Sequence, residues 1–123
     1  MQGALVGHSP DFALSHALSR MHLGRNLVAA GDVAGGRASL RAAADALVVL
    51  AAADPDAARF RDYLAEAWAQ VAEAHWRAPA DVEVARRAVE SALAIWGAFE
   101  AEGKLSPAAA SRRDALRGRL QDE

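Results

Sequence analysis

Few residues of this chain could do chemistry, and their spacing limits what they could do. His16 and His22 lie six apart, on different faces of a helix, so they cannot form the i, i+4 chelate that holds a metal on one face. A third ligand from His75 would need two distant segments to converge. His16 and His75 are therefore read as packing residues whose ring nitrogens bond to backbone or acids, and no metal or other cofactor is expected. Ser15 and His16 are neighbours in the chain and orient no catalytic triad. The "GDVAGG" stretch has no following Lys-Ser or Lys-Thr and no preceding strand, so it is not a phosphate loop.

Glu66, Gln70, Glu73 and Arg77 follow one another at spacings of four, three and four, which puts two carboxylates on one helix face. Acid–base work needs two such groups with unequal pKa values, and an exposed pair seven residues apart has no reason to differ. The expectation is a solvated face with a Glu73–Arg77 pair, or the wall of a peptide-binding groove. Arg112, Arg113, Arg117 and Arg119 form a late basic cluster, yet Asp114, Asp122 and Glu123 nearly balance it, and basic residues suit the last turns of a helix. The chain is expected not to be an enzyme.

The elements that position these residues are helices. Alanine occurs 33 times in 123 residues, threonine never and isoleucine once, so the composition favours helix and avoids strand formers. Ser9-Pro10 is a start signal and Gly31 a stop, Asp32 is a cap, and Asp54-Pro55 ends the second segment. Asp56 and Asp81 are further cap candidates, Gly103 a stop, and Ser106-Pro107 repeats the first signal. These give two helix hairpins, 10–53 and 57–102, and a capping helix, 107–120, all within one helical-repeat domain spanning 1–123.

The two hairpins echo each other. Gly36, Leu40, Ala43, Leu47 and Leu50 share a four-three-four-three stripe with Ala85, Val89, Ala92, Trp96 and Phe99, 49 residues on. The preceding helices carry His16, Arg20, Leu23, Leu27 and Leu64, Trp68, Val71, His75 at matching offsets, and these are the expected hairpin-facing residues. The fold class is all-α and α-solenoid-like, with a five-helix bundle as the alternative.

These residues resemble the tetratricopeptide repeat. Trp68, Val71 and Ala72 match its first helix and Ala85, Val89, Ala92 and Leu93 its second; Leu23-Gly24, Gly36, Leu40 and Ala43 are the counterparts in the first hairpin. Arg20 stands where a bulky aromatic belongs, and the period of about 48 exceeds the usual 34 or so. The segment "SALAIWGAFEAEGKLSP" also resembles the end of repeat regions in bacterial multidomain serine/threonine kinases.

The resemblance implies a protein-interaction or assembly scaffold whose first helices face a bound segment. Met21, His22, Arg25 and Val28 on the first helix, and Gln70, Glu73, Trp76 and Arg77 on the third, are then the partner-binding candidates. The alternative is a small all-α enzyme or ligand-binding protein with a cavity between the hairpins around His16, His75 and Trp68. A homo-oligomer is a further possibility.

A formal charge of −2 gives no field that favours nucleic acid or an anionic membrane, so a protein or peptide partner is expected and neither of those. There is no cysteine, no signal-peptide pattern and no apolar run of membrane-spanning length, and a cytoplasmic protein is the expectation.

Overall fold

The computed structural model describes residues 10–77 and 82–121. Five helices account for most of them: α1 (Pro10–Ala29), α2 (Val33–Ala53), α3 (Ala58–Arg77), α4 (Val82–Ala101) and α5 (Pro107–Gln121). None is long and apolar enough to cross a membrane among the described residues.

Local chemistry accounts for the helix ends. At the end of α1, Gly31 adopts φ 103°, its N–H donates to Val28 O at 3.1 Å, and Asp32 N–H donates to Leu27 O at 2.8 Å. This is a complete Schellman motif, which needs a residue free of the Cβ clash at positive φ. Gly103 repeats it after α4 at φ 73°, with Gly103 N–H bonded to Glu100 O and Lys104 N–H to Phe99 O.

Asp32 accepts from Gly35 N–H at 3.0 Å to cap α2, and Ser106 Oγ accepts from Ala109 N–H at 3.1 Å to cap α5. Asp56 sits within the turn before α3, which starts two residues later, so it is not the helix cap expected of it. Ser9 and Asp81, the other expected caps, lie outside the described residues.

Short turns make successive helices antiparallel, and each packs on the next; α1 also touches α3. The Arg59–Asp11 ion pair at 3.0 Å joins the starts of α3 and α1, which therefore run parallel. The result is two layers, with α1, α3 and α5 on one side and α2 and α4 on the other.

The α1–α2 crossing is set by Gly24 and Gly36. A Cβ on Gly24 would meet Leu40 Cγ at 2.6 Å, and one on Gly36 would run into Val28 and meet Gly24 O at 2.8 Å. Backbones this close leave no room for a methyl group. Ser39 Oγ crosses the same gap to donate to Arg20 O at 2.8 Å.

This crossing corrects the expected face of α1. Ala17, Met21, Gly24 and Val28 are buried, whereas His16, Arg20 and Leu23 are exposed and Leu27 is half-buried. Centring the contact on Gly24 rotates the helix by one residue, so Leu23 stays in solvent at 53% exposure. Met21 and Val28, expected on the open face, consequently belong to the core.

The stripes of α2 and α4 are buried as the spacing predicts, with Leu50 at their margin. Trp96 is 1% exposed and still donates from Nε1 to Asp62 Oδ1 at 3.3 Å, so its polar edge is satisfied. Helix α3 is surrounded: Ala65, Ala67, Ala69, Ala72 and Ala74 are all buried, and their small side chains let neighbouring helices approach from several directions. Ala109 and Leu116 bring α5 into the same core.

Candidate functional site on the face of α1, α3 and α5

The carboxylates of α3 meet a partner that is remote in sequence. Arg112 of α5 donates from Nε and Nη2 to the Glu66 carboxylate at 3.0 and 2.8 Å, and from Nη1 to Glu73 Oε2 at 2.9 Å. Gln70 Nε2 donates to Glu66 Oε2 at 3.0 Å. Burial alone would discourage the Arg112 charge, but its hydrogen bonds to Glu66 and Glu73, with their negative charges, outweigh that and raise its pKa above the ordinary arginine value.

Glu66, Gln70 and Glu73 are therefore not the solvated face that their spacing predicts. Glu73 pairs with Arg112 instead of Arg77, and Gln70 is 5% exposed. The physical reason is that Arg112 reaches across from α5 and takes both carboxylates. The neighbouring Arg113 ion-pairs with Glu100 at 2.8 Å, tying α5 to α4 as well. Hydrogen bonds to Glu100 and then Asp114 hold its pKa above the ordinary value.

Beside the Arg112 bridge lies a pocket of about 380 Å³. Its walls come from Arg25 and Ala29 on α1, Gln70, Glu73 and Arg77 on α3, and Arg119 on α5, over a floor of the buried Val28, Leu40 and Ala74. The Arg119 guanidinium lies over the half-buried Trp76 ring, 4.7 Å from its centroid, which restrains it at the pocket edge.

Of the sequence-predicted residues, the structure brings Arg25, Val28, Gln70, Glu73 and Arg77 together around this pocket, and sets Trp76 next to it through Arg119. Met21 is in the core and His22 is exposed on α1 without lining the pocket. Nothing in the sequence marks Arg112 and Arg119 as partners of α3. Their separations from Glu66 and Trp76 carry no local signal, and only the packing of α5 joins them.

His16, His75 and Trp68 do not share a cavity. His16 is exposed early in α1 and His75 belongs to the last turn of α3, at the other end of a parallel pair. Trp68 faces a hollow of about 240 Å³ on the opposite side, with Arg41 stacked 5.3 Å from its centroid. No group of three His, Asp or Glu able to hold a metal occurs among the described residues.

No protein-family model, curated protein or solved structure matches the chain.

Proposed function

We propose that this chain is a non-catalytic protein-interaction or assembly module, and that a partner's segment lies across the face of α1 and α3 where α5 borders it. The observation that carries this reading is the convergence of Arg25, Glu73 and Arg77 on one concave surface, with the Arg119–Trp76 stack at its edge. Arginine and tryptophan are the side chains most enriched where interfaces concentrate their binding energy. The likeness to tetratricopeptide repeats, in which first helices face the bound segment, supports the same assignment.

Binding would depend on shape: stacked hairpins hold the face rigid, so a partner does not have to order it. The proposed location is the cytoplasm.

The test compares tagged wild type with the Arg25→Glu, Arg77→Glu variant in capture from host lysate, alongside light scattering of each. A protein retained by wild type and lost by the equally helical variant is the expected result. Capture of the same set by both, or of the chain by itself, would place the interface elsewhere.

A further inference from the structure

The pocket between α1, α3 and α5 has a chemistry of its own, and we infer that it is a binding site for a small organic carboxylate carrying a short branched apolar body and a hydroxyl beside the acid. The inference does not depend on a protein partner.

Charge comes first. Arg25, Arg77 and Arg119 line the pocket, one from each of its three parallel helices, and none of them is in an ion pair among the described residues. Glu73 also borders the pocket, but it and Glu66 share the single charge of Arg112. Among the described residues in and beside the pocket, the carboxylates and Arg112 together leave one negative charge against three positive ones. That surplus attracts an anion, and the apolar part of the lining favours an organic acid over inorganic phosphate. Guanidinium groups match the two oxygens of a carboxylate in one plane.

Shape comes second. Ala29, over a floor of the buried Val28, Leu40 and Ala74, gives the 380 Å³ an apolar side, and the size suits a small molecule better than an isolated ion. Gln70 supplies the third feature. It lines the pocket at 5% exposure, its Nε2 is committed to Glu66, and its Oε1 receives no hydrogen bond among the described residues. Turning the amide over would set its oxygen against the Glu66 carboxylate, so the acceptor orientation is fixed by charge. That oxygen is closed off, a buried carbonyl oxygen without a donor is unfavourable, and a ligand hydroxyl next to the carboxylate would satisfy it once the amide turns toward the pocket. One ligand would then bind α1, α3 and α5 together.

The test is an NMR titration of the labelled full chain, following the Nε–Hε signals of Arg25, Arg77 and Arg119. The probe is 2-hydroxy-4-methylpentanoate, compared with 4-methylpentanoate, 2-hydroxy-4-methylpentanamide and inorganic phosphate. Saturating shifts are expected for the hydroxy acid. Binding should be weaker for the acid without the hydroxyl, and at least about tenfold weaker for the neutral amide and for inorganic phosphate. Arg77→Gln, which leaves an exposed position polar, should weaken the hydroxy acid by about tenfold. Slower amide exchange in α5 should accompany saturation.

Absence of saturable shifts would overturn the inference, and so would equal binding of the amide or of inorganic phosphate. Tighter binding of the blocked peptide acetyl-Leu-Glu-amide than of the hydroxy acid would assign the pocket to a protein ligand instead. Because no partner protein enters this assay, its failure leaves the interaction reading standing.

Discussion

Replacing Arg112 with methionine removes the tie between α5 and the acidic pair of α3 while keeping an unbranched apolar stem. The side chains of Arg112 and Glu66 are 31% and 30% exposed and that of Glu73 is 45% exposed, so the bridge is neither a surface pair nor a fully buried one. Breaking a buried pair typically costs about 3–5 kcal/mol, and exposed pairs contribute about 0.2–1 kcal/mol. Solvent screening at Glu73 places Arg112→Met between these limits, at about 2 kcal/mol. For a chain of this size that lowers the melting temperature by roughly 6–10 °C.

Urea and thermal unfolding followed by circular dichroism would measure the loss. Adding Glu66→Gln and Glu73→Gln to Arg112→Met should restore about half of it, because two carboxylates without a cation are worse than none. Amide exchange should rise first in α5. A loss below about 0.5 kcal/mol, within the range of ordinary surface substitutions, would refute the assignment of Arg112 as the bolt that holds α5.

Further substitutions test the packing. Gly36→Ala should destabilise despite alanine's better helix propensity, because its methyl meets Val28 and the Gly24 carbonyl; Gly97→Ala, with open space around the added Cβ, should stabilise by about 0.5–1 kcal/mol. Equal effects in chemical denaturation would contradict the close α1–α2 crossing. Ala92→Trp, at a fully buried position of α4, should cost on the order of 1–3 kcal/mol by overpacking, and an unchanged melting curve would count against the register of that helix. The Arg25→Glu, Arg77→Glu double variant should keep its helical signal and its melting temperature to within a few degrees, since both side chains are exposed; loss of helix would refute their placement.

Much of the architecture was legible because it is encoded locally. Gly31 and Gly103 end helices through backbone conformations that glycine adopts without strain, and the stripes of α2 and α4 repeat large and small residues at helical spacing. The hydrophobic pattern misplaces the face of α1, because Leu23 and Leu27 outweigh in it the smaller set Ala17, Met21, Gly24 and Val28. Close backbone approach rewards the smaller set, and the pairing of Gly24 with Gly36 was the available signal.

The candidate site was legible only in part. Arg25, Gln70, Glu73 and Arg77 follow from the idea that first helices share a face. That α5 would bring Arg112 to Glu66 and Glu73 depends on how the last helix packs. No spacing within α3 encodes it, and the near balance of charge after Ser106 hid the distinct destinations of Arg112, Arg113 and Arg119.

The proposed partner segment would lie across the face of α1 and α3. Site-specific photo-crosslinking tests it most directly: a benzophenone amino acid is placed singly at positions 25 and 77, on that face, and at positions 49 and 86, exposed on α2 and α4. After irradiation in lysate, the account predicts one common partner adduct from positions 25 and 77 and none from 49 and 86. Adducts from the α2 and α4 positions alone would contradict it.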